Sequence, residues 1–225
     1  MSKTSTLKML GAAFAVAATM GAAIPAGHAA AISGLGDPLT DAALAGGTQE
    51  GFDSTVAGLY GSITIGNVTY SGVGSALTIG TDFNGDFNTT GGQSLYTDFD
   101  LDPDQIRFDF STVVTAFGFN WGAADNTWLL EAFDAGGNLI ESTSILATFA
   151  SNAGEFFGLS TGVAIAYAVL TDQKNNFIDG DYVFIDRFTT NGTSKEVPLP
   201  GAALLLLSGL GALGGLRSLR SRKAA

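Results

Sequence analysis

A chain of 225 residues with ten basic residues, 21 acidic residues, one histidine and no cysteine carries a formal charge of −11. Without cysteine there is no disulfide framework, no Cys-His pair and no thiolate metal site, so the core must hold by burial alone. Setting aside two hydrophobic ends, residues 30–194 keep only Arg107, Lys174 and Arg187 against 20 acids, a formal charge of −17 that repels nucleic acid and excludes it as a partner.

The first element in chain order is a leader. Lys3 and Lys8 precede an apolar, Ala-rich stretch from Met9 to Ile24, and Gly27, Ala29, Ala30 and Ala31 supply small residues for cleavage. This is the pattern of a secretory signal peptide over residues 1–29, cut after Ala29 or Ala31. The Sec translocon and signal peptidase are then expected partners; an uncleaved anchor would also put the middle of the chain outside the cytoplasm. His28 leaves with the leader, and a mature domain without His or Cys has no Ser-His-Asp triad and no His-ligated zinc.

Residues 30–51 are rich in Ala, Gly and Thr with no sustained period, and are expected to form an irregular lead-in with one helical turn around Thr40 to Ala45. From Phe52 the pattern changes to short strands punctuated by Gly, Asn and Asp. Ile63, Ile65, Val68 and Tyr70 alternate with polar residues, and Ile106, Phe108 and Phe110 alternate with Arg107 and Asp109. Phe117, Phe119 and Trp121 then line one face. Asp134-Ala135-Gly136-Gly137-Asn138 reads as a hairpin turn between Thr127–Phe133 and Asn138–Ser144. Val163, Ile165, Tyr167 and Val169 are expected on one face and Ala164, Ala166 and Ala168 on the other, and Tyr182–Phe188 closes the set. Strands at roughly ten-residue spacing without an amphipathic helix predict an all-β fold, an antiparallel two-layer β-sandwich of jelly-roll-like topology over 52–194, flanked by an N-terminal signal helix and a C-terminal hydrophobic helix.

Three groups of residues are candidates for chemistry. Asp82, Asn84, Asp86 and Asn88 recur at every second position, but Phe87 stands where an EF-hand needs glycine and Gln93 where it needs a bidentate Glu, so a turn-forming run is the better reading. Asp98, Asp100, Asp102 and Asp104 could converge on one face of an extended segment and hold a structural calcium, with an exposed acidic loop as the plainer alternative. Trp128, beside the polar loop 122–127, is the candidate glycan contact, since an aromatic face near amides and carboxylates grips sugar rings; core packing is its alternative. A glycosidase would need a carboxylate pair such as Glu131 and Glu155 at suitable separation.

The last segment, 195–225, holds the box Val197-Pro198-Leu199-Pro200-Gly201, whose prolines oppose helix, then an uncharged run at about 202–216, then Arg217, Arg220, Arg222 and Lys223 in a basic tail at 217–223. The apolar run would span about 22 Å as a helix, marginal against a hydrocarbon core of about 30 Å, and the basic cluster marks its cytoplasmic side. In order and spacing the constellation resembles the PEP-CTERM sorting signal of bacterial exported proteins in its VPLPA-CTERM variant, with Leu199 in place of the more common Glu; a plain tail anchor is the alternative. The resemblance implies recognition by an exosortase, anchoring in the inner membrane before processing, and a destination at the cell surface or in the extracellular matrix. The aromatic-Gly blocks of the middle are similar in outline to the β-sandwich ectodomains of such proteins and to carbohydrate-binding modules. The function expected is therefore an exported, non-catalytic structural or interaction protein without a cofactor other than a candidate calcium; binding of extracellular polysaccharide is the alternative, and a carboxylate-dependent hydrolase the least supported.

Overall fold

The computed structural model describes residues 29–97, 105–174 and 181–192. They form twelve strands: β1 (Ala30–Leu35), β2 (Thr48–Glu50), β3 (Gly58–Tyr60), β4 (Ser62–Ile65), β5 (Val68–Val73), β6 (Leu77–Gly80), β7 (Ser94–Tyr96), β8 (Gln105–Gly122), β9 (Trp128–Phe133), β10 (Leu139–Ile145), β11 (Glu155–Asp172) and β12 (Phe184–Thr190). Every pairing is antiparallel. The leader and the tail box lie outside the described residues, and among those described no helix is long and apolar enough to cross a membrane.

Two strands of 18 residues, β8 and β11, belong to both layers. Phe108 and Phe119 of β8 have ring centroids only 5.6 Å apart, whereas eleven residues of straight strand would separate them by about 36 Å. The strand therefore folds over. Its exposed corner is Ser111–Thr112–Val113, and β11 turns the same corner at Gly162–Val163–Ala164, with register shifts in the pairing on both sides. The first layer runs β4-β5-β8-β11-β9-β10 using residues 105–110 and 167–172; the second runs β3-β6-β7-β12-β8-β11-β1 using residues 117–122 and 155–160, with β2 beside β12. This is a two-layer antiparallel β-sandwich, jelly-roll-like in topology.

Aromatic rings fill the space between the layers. Tyr70 of the first layer meets Phe52, Phe108 and Phe188 edge-on at 5.4, 5.8 and 5.3 Å, and Phe188 of the second stacks on Phe117 and Phe119 at 6.0 and 5.5 Å. Each such side chain contributes about 1.5–3 kcal/mol by leaving water, which is how a chain without disulfides holds its core.

Residues 30–51 are not the irregular lead-in expected of them. β1 pairs along its full length with β11, and β2 with β12; between them lies a 3₁₀ turn at Pro38–Thr40 capped by Asp37, in place of a helical turn at 40–45. The pattern hid β1 because only Ile32 of its six residues is buried, in a small outer cluster with Leu44, Ala116 and Phe156, so backbone pairing rather than alternation defines the strand. The faces of β11 also differ from expectation. The shift after Ile165 turns Ala168 and Leu170 into the core and leaves Tyr167 outside, stacked on Phe133 at 4.8 Å beneath the Arg107 guanidinium.

Candidate functional site

Trp128 is not a glycan contact: it is 0% exposed, its ring meets Trp121 edge-on at 5.4 Å, and its indole Nε1 donates to Asp181 Oδ2 at 2.8 Å. Being the first inward residue of β9, it points between the layers and has no face for a ligand. Asp181 also accepts the backbone N–H groups of Asp125 and Asn126, at 2.9 and 3.0 Å, and Asn126 donates to the neighbouring Asp172. Burial pushes the Asp181 carboxyl above its ordinary value, opposed by those three donors and reinforced by the negative charge of Asp172.

The same use of aspartate recurs. Asp37, Asp41, Asp53, Asp134, Asp172 and Asp186 each accept at least one backbone N–H, from Leu39, Ala43, Gln93, Gly136, Lys174 and Thr90 respectively. Much of the acidity is thus loop construction: carboxylates satisfy N–H groups that strands leave unpaired. The calcium candidates Asp98, Asp100, Asp102 and Asp104 lie outside the described residues. Among those described, no group of three or more His, Cys, Asp or Glu side chains is arranged to hold a metal.

The run 82–88 builds a wall. Positive φ at Phe83, Gly85, Phe87 and Asn88 coils it into successive turns, so its alternate residues do not share a face. Asn88 points inward: Nδ2 donates to Trp121 O at 2.8 Å and Glu155 Oε2 at 3.1 Å, and Oδ1 accepts Gly154 N at 2.8 Å. Thr90 is fixed to Asp186 through N and Oγ1, and Phe87 N donates to Asn152. On its outer side Phe83 stands half-exposed against Phe87, Tyr182 and Phe184, with Tyr182 donating to Asp82 at 3.1 Å.

Beside this wall the sandwich is open. Among the described residues β1 pairs only with β11 and β10 only with β9, so each is an edge strand of a different layer. A groove of about 410 Å³ separates them, within the size range of small-ligand clefts. Ser33 lines it from β1, Thr143 and Ser144 from β10, Thr148 from the following loop, and Glu155 and Phe157 from β11. Asn88 holds Glu155 by Oε2, and among the described residues nothing donates to its Oε1. Ala31, Ile32, Leu146 and Ala147 complete the lining, and the Thr148 hydroxyl already accepts Ala124 N at 3.2 Å, so the groove joins a few hydroxyls and one oriented carboxylate to apolar side chains, a mixture suited to sugar rings with polar edges and apolar faces.

Of the two glutamates weighed as a glycosidase pair, Glu155 is in the groove and Glu131 is not. Glu131 lies on the outer face of the first layer opposite Val169, between the inward Leu130 and Ala132. The outer face also carries the stack of Arg107, Tyr167 and Phe133. There Arg107, ion-paired with Asp109 at 2.6 Å, covers one side of the Tyr167 ring and Phe133 the other, since their strands flank β11 on opposite sides. That stack is closed upon itself.

No family model and no curated protein matches the chain. Among solved structures it is similar to two cleaved adhesin domains of Lys-gingipain, one 14% identical and the other, from Porphyromonas gingivalis, 15% identical, each at a TM-score of 0.41 over 65% of this chain and 98% of that one. It is also similar to a variant of a family 29 carbohydrate-binding module, 9% identical at a TM-score of 0.37 over 61% of this chain and 92% of that one.

Proposed function

We propose that this chain is an exported, non-catalytic β-sandwich that binds extracellular polysaccharide in the groove between β1 and β10, and that its PEP-CTERM-like tail hands it to an exosortase at the inner membrane before it reaches the surface or matrix. One observation carries the binding reading: the open side of the sandwich combines hydroxyls and a single carboxylate held in place by Asn88 with an aromatic ring and aliphatic side chains. A lone oriented carboxylate suits a hydrogen-bond acceptor for sugar hydroxyls, whereas glycoside hydrolysis calls for two carboxyl groups roughly 5–10 Å apart across one cleft. The basic tail, the proline box and the leader support export, and the acid-rich surface supports solubility outside the cell.

The test is binding of the native product to a panel of bacterial polysaccharides, with Thr143→Tyr, on the inward face of β10 opposite Leu130, to fill the groove and Glu155→Gln to remove the charge while keeping an oxygen for Asn88. Thr143 is only half-buried, on an edge strand, so its replacement leaves the core intact. Binding should vanish in the first variant and weaken in the second, and the mass of the bound native product should lack the leader. Binding indifferent to Thr143→Tyr, or a product that keeps Met1, overturns the corresponding half of the proposal.

A further inference from the structure

The two ends of the folded unit leave it at one place. Ala30, the first residue of β1, is registered with Ser160 of β11; Ser160 is registered with Ala116 of β8; and Asn191 N, just past β12, donates to Ala116 O at 3.0 Å. These four positions form one row across the second layer, so the two exits are three strand spacings apart, about 14 Å. Asn191 fixes the exit firmly, its Oδ1 accepting Thr115 N and Ala116 N at 2.9 and 2.7 Å.

That row borders the corners at which β8 and β11 fold over. Val113 and Val163 crown them, 53% and 55% exposed. No charged residue occurs from Phe110 to Gly122 or from Phe156 to Thr171. Among the described residues the charges near this end are Asp109, which Arg107 neutralises, Asp134 and Glu141 in the hairpin of β9 and β10, and Glu50 against Gly66 at the rim. At the other end of the sandwich lie Asp82, Asp86, Asp125, Asp172, Asp181 and Glu155, with Lys174 beside Asp172 offsetting one of them. A domain with a formal charge of −17 is repelled by an anionic leaflet over most of its surface, and the corner end is where that repulsion is least.

We propose that the corner end, with Val113 and Val163 at its centre, is the membrane-facing surface, seated on lipid while the leader and the tail depart from it on the same side. This rests on the reading of residues 1–29 and 195–225 as membrane-directed segments. Both processing regions then lie at the bilayer, and the wall 82–88 is held about 25 Å outward, the length of β8 from Val114 to Gly122, while the groove runs outward from Ala31, beside the corner row, to Glu155. The lipid seat is transient, since release of the tail removes the tether and leaves two valines to hold it.

The absence of cysteine allows single labels. The full chain carrying Val113→Cys, Val163→Cys or Asn84→Cys, each with a fluorophore, is mixed with vesicles of phosphatidylethanolamine and phosphatidylglycerol containing a nitroxide-headgroup lipid, floated, and its quenching read. Labels at 113 and 163 should be quenched severalfold more than the label at 84, and Val113→Glu with Val163→Glu should bring quenching of a Ser111→Cys label down towards that of Asn84→Cys. A chain that floats with equal or reversed quenching overturns the orientation and leaves the anchor reading standing. A chain that does not float overturns both.

Discussion

The two ends of the sandwich are built by different physics. At the corner end β8 and β11 run on without a break, and covalent continuity plus apolar packing holds the layers together; Val114 and Ile165 are buried just beside the exposed Val113 and Val163. At the loop end the strands stop, and single side chains hold the connections by satisfying backbone groups: Asn88 under the wall 82–88, Asp186 beneath Thr90, Asp181 beneath loop 122–127. The difference teaches that the acidity of this chain is concentrated where regular pairing ends. A carboxylate accepting several N–H groups does locally what a ladder does elsewhere, and it places the candidate ligand-binding groove beside rigid loops.

The comparison breaks most readily at Gly122. A Cβ there would fall inside the van der Waals envelope of the Phe87 carbonyl, backbone that cannot swing aside. Gly122→Ala should cost about 1–3 kcal/mol in urea unfolding through overpacking, and by lifting Asn88 from Glu155 it should weaken polysaccharide binding as well. Val113→Ser at the corner end should stay within about 0.5 kcal/mol of the parent, as exposed positions do. If the two substitutions cost the same, the loop end is not held in the manner described.

Much of this was legible in the chain, and the gaps have physical reasons. Alternation of large apolar residues placed β4, β5, β8 and β9, and the Asp134–Asn138 turn forms as its residues require, with Asp134 Oδ1 accepting Gly136 N and Asn138 N. The fold-over of β8 was also written there: Ile106, Phe108 and Phe110 occupy even positions and Phe117, Phe119 and Trp121 odd ones, a change of phase that only a bulge between them reconciles. Trp128 could have been placed by the same rule. In Trp128–Phe133 the charged Glu131 shares its face with Leu129 and Phe133, which sends Trp128 inward with Leu130 and Ala132. The groove is different in kind. It is assembled from β1, β10 and β11, whose contributing residues are scattered from Ser33 to Phe157, so no local spacing announces it. Glu155 is visible beforehand only as a lone acid opening an apolar strand.

The comparison sharpens on pH. Asp181 at the loop end has its carboxyl raised above 3.8, chiefly by burial. A raised carboxyl binds its proton more tightly in the folded state than in the unfolded one, so this group favours folding most below 3.8 and progressively less as pH rises through its folded pKa. The stability of the parent relative to Asp181→Asn should therefore rise as pH is lowered from neutrality towards 3.8, read by the fluorescence of the two tryptophans, one of which donates to this carboxylate. A relative stability of the parent that falls over that range would mean that the hydrogen bonds, rather than burial, govern Asp181.

Asp134, in the turn that follows β9, should show the smallest effect and the opposite sign. Hydrogen bonds from the Asn138 side chain and backbone, then from Gly136 and Gly137, hold its carboxyl below 3.8 although it is open to solvent. A lowered carboxyl contributes stability that is present above 3.8 and lost as pH falls through the folded pKa. Asp134→Ala should thus shift the midpoint slightly at neutral pH and not at all in strong acid, the reverse of the trend at Asp181. Hydrogen exchange at Gly136 and Asn138, whose N–H groups the carboxylate holds, should accelerate in the variant at pH 7. Unchanged exchange there would show that backbone pairing alone makes the turn, and that the contrast between an exposed and a buried aspartate at the two ends does not extend to this one.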